Sequence, residues 1–291
     1  REIGRTWLGL VLALVLVGVV AVAAASPASA HRLSTTTKVL GDLYFFWLHL
    51  RWLGVGLIAM FVASLLPKDT ARRWAILLAA GMLAALVLVP LLGSEVKGAR
   101  RWLFIGFSLQ PSEFLKPGFA IAVAWILSWR VRDPGIPVIG ITIALMAVVG
   151  ALLMAQPDFG STVLFCGVWF VLVLLSGLPL VRIGWSAGGA VVIVVLAYLF
   201  YPNATHRIDA FISGGSEFDQ VDLAMRTLLN GGWSGSGLWL GSRKMALPEA
   251  HTDYIFSVIG EEFGLAACAV IVVIYAAIVI RVLLRLMDED D

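Results

Sequence analysis

The chain has 291 residues, 60% of them hydrophobic and only 14% charged, with a formal net charge of +2. A soluble domain of this size carries far more charge, so these proportions, with a mean hydropathy of +0.94, exclude a soluble enzyme and describe a polytopic membrane protein. So small a net charge says little about partners, and no nucleic acid is expected among them.

A bilayer core needs about 20 apolar residues per crossing helix. Eight segments meet or approach that length: 7–25, 44–66, 74–92, 114–129, 136–155, 160–178, 183–201 and 254–286. The expected fold is therefore all-α and polytopic, a single integral membrane domain over 1–291 with a large loop, 202–252, between the seventh and eighth helices. The fourth span is short. The eighth is overlong and should tilt or run on beyond the membrane. The first ends in Ala23-Ala24-Ala25-Ser26-Pro27-Ala28-Ser29-Ala30, which resembles a signal-peptide cleavage site, but its apolar run is longer than a signal core and a retained helix is favoured. Cys166 and Cys268 both fall within spans and make no disulfide framework.

Eight crossings put both ends of the chain on one side. With that side cytoplasmic, the inner loops and the start of the chain hold ten of the 21 basic residues. Long loops count little in the positive-inside rule. Without Arg207, Arg226, Arg243 and Lys244, all in the large loop, seven remain outside against ten inside. The outer face still keeps an excess of cations around two loops, including Lys97, Arg100, Arg101, Lys116, Arg243 and Lys244. An anionic, lipid-linked phosphate would justify them; so would lipid headgroups.

Along the outer face, loop 93–113 carries Trp102 and Phe104 and reads either as an interfacial re-entrant turn or as an aromatic anchor. Glu113 and Lys116 share a helix face at i, i+3 and should pair. Ser112 is placed to cap that helix, and Pro117 to kink it or mark its first turn. Asp158, in Gln156-Pro157-Asp158-Phe159-Gly160, reads as the N-cap of the sixth helix. The large loop is dense in glycine after Asn230, which suits hinges that move over a substrate. Its Trp233, Leu238, Trp239 and Leu240 argue that it folds back onto the membrane surface.

Asp253 lies where this loop meets the eighth helix. It reads either as that helix's cap or as a carboxylate kept for chemistry, since acids at this depth are costly unless paired, hydrated or used. Glu261 and Glu262 follow on the helix. At about 100° per residue, Glu261 shares Asp253's side and could line the same cavity, while Glu262 faces away and needs its own partner, such as Arg or Lys on a neighbouring helix. His251 stands alone, without metal-ligand spacing. No zinc, Walker A, GxSxG or Rossmann pattern occurs in a convincing setting.

Five stretches carry a resemblance. They are Lys97-Gly98-Ala99-Arg100-Arg101-Trp102, Gln110-Pro111-Ser112-Glu113-Phe114-Leu115-Lys116, Gln156 to Gly160, Arg207-Ile208-Asp209 with Phe218 to Asp222, and Pro248 to Phe256 followed by Gly260 to Gly264. In this order and over nearly the whole chain they resemble the SEDS (FtsW/RodA) family of polytopic peptidoglycan glycosyltransferases. The stretches Leu247 to His251 and Asp219 to Asp222 lean toward its division branch over its elongation branch.

The resemblance implies polymerisation of lipid II at the periplasmic face of the bacterial inner membrane, at the division septum. A class B penicillin-binding protein (FtsI-like) and other divisome proteins are the implied partners. It makes Asp253 the essential acid, read as general base for the acceptor sugar hydroxyl in an inverting displacement. The substrate-binding set it implies is Lys116, Glu113, Arg101, Trp102, Lys97, Arg243, His251, Asp158 and Glu261. Lys116, Arg101 and Arg243 are the candidates for holding the pyrophosphate, which a divalent cation of unspecified ligands (Mg or Mn) would assist. Family members usually carry ten helices, so this chain, ending after the eighth, is expected to be a fragment or a degenerate paralogue. A lipid II flippase and a non-catalytic division scaffold are the competing readings. The polar residues cluster on the outer side while the inner helix halves are plain Leu, Val, Ala and Ile, which favours surface chemistry over a transport path. A scaffold would tolerate Asp253→Asn.

Overall fold

The computed structural model describes residues 5–96, 99–177 and 220–287, with scattered positions between 178 and 219. It is built of helices α1 (Arg5–Leu33), α2 (Tyr44–Leu65), α3 (Lys68–Leu92), α4 (Pro111–Arg132), α5 (Val138–Ala155), α6 (Phe159–Leu175), α7 (Gln220–Asn230) and α8 (Ile255–Met287). Among the described residues six of these, α1 to α5 and α8, are long and apolar enough to cross a membrane; α6 is apolar but shorter. The chain is a multi-pass membrane protein. The predicted seventh span, 183–201, is described at only about half of its positions, and Lys97 and Arg207 lie outside the described residues.

The all-α expectation needs one amendment. Loop 93–113 holds three short antiparallel strands, β1 (Ser94–Val96), β2 (Ala99–Phe104) and β3 (Ser108–Leu109), in the order β1-β2-β3. Glu95 faces Arg100, and Leu103 faces Leu109 across the two pairings. The signal is a period of two: Leu103 is buried while Trp102 and Phe104 on either side are exposed. Gly106, at φ +89°, makes the turn between β2 and β3.

By its contacts the chain divides into two compact units, residues 62–211 and residues 1–61 with 212–291. In the first, α4 packs against α3, α5 and α6. Leu86, Leu115, Phe119, Val149, Leu153 and Phe165 form its core, with the Phe119 and Phe165 rings edge to face at 5.0 Å. Lipid gives no hydrophobic drive between helices, so close fit has to hold them. Gly118 supplies it: a Cβ there would lie 2.8 Å from the Ala75 carbonyl oxygen and 2.9 Å from Ala79 Cβ. The short fourth span of the sequence is in fact a full crossing. The helix starts at Pro111 rather than after a Ser112 cap, buries Ser112 in its first turn, and continues through Pro117. Proline fits at the first helical position because the amide it lacks would be unpaired there anyway.

In the second unit α1 packs on α8, and α7 lies against α8. The small-residue run that resembles a cleavage site is helical and packed: Ala24, Ala25, Ser26, Ala28 and Ala30 are all buried. Ala24 and Ala25 join Ala224, Leu247, Ala250 and Val258 in one cluster.

The overlong eighth span is not one tilted rod. Gly264 has φ +82° and ψ 171°, which divides α8 into 255–263 and 265–287. Such a break in a membrane helix is tolerated only if its freed backbone groups find partners. Here the loop after α7 supplies partners for four of them. The Glu261 and Glu262 carbonyls accept from Ser236 N and Gly237 N at 2.8 and 2.9 Å, while Leu265 N and Ala266 N donate to the Gly232 and Trp233 carbonyls at 2.9 and 3.3 Å.

Candidate functional site

Asp253 sits in the turn 251–254 that leads into α8 and is exposed. The helix begins at Ile255, two residues later. Ile255 N is bonded to the Thr252 carbonyl, and Ser257 N and Val258 N to the Tyr254 carbonyl. Among the described residues no hydrogen bond or ion pair engages the Asp253 carboxylate. Asp253 is thus not consumed in capping the helix, which was one of its two readings.

The segment that carries Asp253 is fixed on both sides. Before it, Leu247 and Ala250 are buried against Ala24, Ala25 and Val258. His251 Nδ1 lies 2.8 Å from the hydroxyl of buried Ser29, and its ring stacks on Phe45 at 4.1 Å. Burial holds the His251 imidazole below the usual histidine range, against the opposing pull of Glu249 and Asp253.

Further support comes from the 3₁₀ turn Arg243–Met245. Glu261 is fully buried and does not line an open cavity. Its Oε1 accepts from Arg243 N at 2.7 Å and Asn230 Nδ2 at 3.1 Å, and its Oε2 from Lys244 N at 2.8 Å. The expected substrate contact is therefore replaced by three internal ones. Glu262, equally buried, accepts from Trp239 N at 2.8 Å and pairs with the Lys244 ammonium, which also donates to the Ala24 carbonyl at 3.1 Å. Its partner thus comes from the loop, not from a helix.

Pro27 explains the other end of this loop. It has no amide to bond the Ala23 carbonyl one turn back, and the indole N–H of Trp239 takes that carbonyl at 3.1 Å. One loop therefore satisfies the backbone at two helix irregularities, Pro27 in α1 and Gly264 in α8. Gly231, Gly235 and Gly241 allow close approach to α8: a Cβ at Gly241 would lie 2.8 Å from Glu261 Cδ. The Arg243 side chain reaches Asn230 Oδ1 at 3.1 Å.

The other expected site residues belong to the unit 62–211. Lys116 pairs with Glu113 at 2.7 Å, as their spacing predicts. Asp158 caps α6, accepting from Ser161 N at 3.2 Å and from its hydroxyl at 2.8 Å. Arg101 lies 3.9 Å from Asp158, donates to the Gln156 carbonyl at 3.1 Å and also reaches the Pro157 carbonyl. Trp102, next in β2, is exposed. Buried Gln156 donates to the Leu86 carbonyl at 3.0 Å, which ties this turn to α3. The i, i+3 spacing made the Glu113–Lys116 pair legible. Nothing local in the sequence marks Asn230, Ser29 or Lys244 as partners of Glu261, His251 and Glu262.

Among the described residues no three His, Cys, Asp or Glu side chains come together as a metal site.

Comparison with known proteins agrees with this architecture. The family model FtsW/RodA/SpoVE, described as cell cycle protein, matches residues 5–291. The probable peptidoglycan glycosyltransferase FtsW of Caulobacter vibrioides is 32% identical over 290 residues, covering 99% of this chain and 73% of that protein. Its counterpart in Pseudomonas fluorescens is 34% identical over 282 residues, covering 93% and 68%. Among solved structures, a chain of a peptidoglycan synthase complex that coordinates polymerization and crosslinking superposes with a TM-score of 0.69 at 25% identity, covering 96% of this chain and 76% of that one. The rod shape determining protein RodA of Thermus thermophilus gives 0.59 at 25% identity, covering 96% and 73%. The loop-braced, discontinuous α8, the exposed Asp253 ahead of it and the match over residues 5–291 lead to one conclusion: this chain belongs to the FtsW/RodA/SpoVE family of cell cycle proteins.

Proposed function

We propose that the chain is a peptidoglycan glycosyltransferase that polymerises lipid II at the outer face of the inner membrane during septal wall synthesis, with Asp253 as its general base. The names of its relatives support the reaction class. The single observation that carries the base is Asp253 itself, an exposed carboxylate without a structural bond among the described residues, on a turn anchored before and after it.

In the proposed step the acceptor sugar hydroxyl attacks the anomeric carbon of the donor. Its proton passes to the Asp253 carboxylate. The bond from that carbon to the pyrophosphate oxygen breaks, and the lipid pyrophosphate leaves with inversion. Lys116, Arg101 and Arg243 are proposed, from the resemblance, to neutralise the leaving group. The first two are already oriented by Glu113 and by the 156–158 turn. Glu113, Trp102, Asp158, Lys97 and His251 remain proposed substrate-side or orienting residues on the same ground. A divalent cation is kept as a proposal without ligands, and chelation during the assay tests it. A class B penicillin-binding protein is the proposed partner, with other division proteins around it and the ends of this chain on the cytoplasmic side.

A flippase would also use a broken membrane helix. Four of the groups freed at Gly264 are bonded by residues 232–237 and so are not available to a transported ligand, which supports the enzyme reading. The test is conversion of labelled lipid II to glycan polymer by the purified protein with its partner, the partner's own glycan activity being excluded. Polymer formation supports the proposal. Lipid II translocation without polymer would support the flippase.

A further inference from the structure

We propose that Glu261 is the positioning residue for Asp253: its buried carboxylate closes the segment 243–261 into a clamped loop that holds the base in place. This rests on the reading of Asp253 as general base.

Glu261 is 0% exposed, and burying an ionised side chain is costly unless donors surround it. Both of its oxygens are engaged, by the consecutive amides of Arg243 and Lys244 and by the Asn230 side chain. The two amides open a 3₁₀ turn, where unpaired N–H groups favour negative charge. Residues 243 and 261 are 18 apart in the chain, and Asp253 lies near the middle. The contacts to Glu261 therefore join both ends of the segment that carries it. Inside the closed segment the remaining play is removed by buried Leu247 and Ala250 and by the His251–Ser29 contact. Thr252 and Asp253 stay exposed between buried Ala250 and buried Ser257.

A glutamine cannot replace this clamp. It keeps one acceptor oxygen and turns the other position into an NH₂ donor, which would face a backbone N–H. The segment would then lose one of its two amide ties to Glu261, with the Lys244–Glu262 pair as the remaining side-chain tie between its ends. Displacing a base by about 1 Å can cost on the order of 100-fold in rate. A clamp of this kind acts on turnover and leaves substrate affinity alone.

The test compares wild type, Glu261→Gln and the milder Asn230→Ala as complexes with the partner, at full length. Three readouts are taken: kcat and KM for lipid II polymerisation, amide hydrogen exchange over residues 243–255, and the thermal midpoint. Expected for Glu261→Gln is a 10- to 100-fold lower kcat per folded molecule, with KM within about twofold and exchange at Arg243, Lys244 and the 246–254 segment at least about tenfold faster. Asn230→Ala should shift the same readouts in the same direction by less, and it decides the matter if Glu261→Gln does not fold. A raised KM at unchanged kcat would restore the substrate-binding role and overturn the proposal. So would faster exchange at unchanged kcat, which is a structural brace alone. An inactive wild type would instead sink the enzyme reading on which the proposal stands.

Discussion

Lys244 and Glu262 form an ion pair with both side chains almost completely withdrawn from solvent, at 3% and 0% exposure. Each has a second anchor, Lys244 on the Ala24 carbonyl and Glu262 on the Trp239 amide. Removing one member of such a pair leaves a buried charge unmatched, which costs about 3–5 kcal/mol. Lys244→Met should therefore lower the unfolding midpoint sharply, while Lys244→Met with Glu262→Gln should recover much of the loss. A thermal-unfolding double-mutant cycle in detergent checks this; additive losses would contradict it.

The break in α8 makes a prediction about two glycines. Gly264 combines a positive φ with an extended ψ, a region that side chains avoid at about 1–3 kcal/mol. An added Cβ would also press on the Trp233 carbonyl and, at 2.5 Å, on Gly235 N. Gly264→Ala should destabilise well beyond 2 kcal/mol by the strain and clash together. Gly81, inside α3 with nothing near its Cβ position, should behave in the opposite way, Gly81→Ala gaining up to about 1 kcal/mol. Thermal midpoints of the two variants decide this.

In the other unit, Asp158 caps α6 and Arg101 braces the turn before it. Asp158→Ala should cost about 1 kcal/mol, the usual worth of an N-cap. Asp158→Asn keeps an acceptor oxygen and should lose less. If the alanine variant were as stable as wild type, the capping role would be void.

His251 predicts a pH dependence. Its folded-state pKa lies below the ordinary histidine value because burial disfavours the cation. The unfolded chain therefore takes up a proton first as pH falls. The stabilising effect of neutral His251 is complete above the unfolded pKa of about 6.5 and is lost as pH drops through the folded value. Thermal midpoints measured between pH 8 and pH 5 (about three units) should fall toward acid, and His251→Asn should flatten that part of the curve. An unchanged slope in the variant would assign the dependence to other groups.

Much of this fold is readable from composition because a bilayer leaves few options: apolar runs of crossing length must be helices. The Glu113–Lys116 pair and the Asp158 cap were legible because both are local, set by i, i+3 geometry. Three other features were not. The strands of loop 93–113 rest on five or six residues of alternation around Leu103, too few to outweigh the aromatic-anchor reading of Trp102. The break at Gly264 was hidden because glycine within an apolar run is common in membrane helices, and only the partners at Gly232, Trp233, Ser236 and Gly237 show why this one is needed. The reach of Glu261 and Glu262 to residues 230–244 depends on the path of the loop, which no helical period encodes.

The central claim is that Asp253 is set aside for chemistry and not for folding. Its exposure and the lack of a structural bond to it among the described residues mean that Asp253→Asn should change stability by less than about 0.5 kcal/mol. The most direct measurement is lipid II polymerisation by wild type and Asp253→Asn side by side, each bound to its partner and each with its unfolding midpoint recorded. The predicted result is polymer from wild type, none from the variant, and matching midpoints. Undiminished polymer from a well-folded Asp253→Asn protein would contradict the claim.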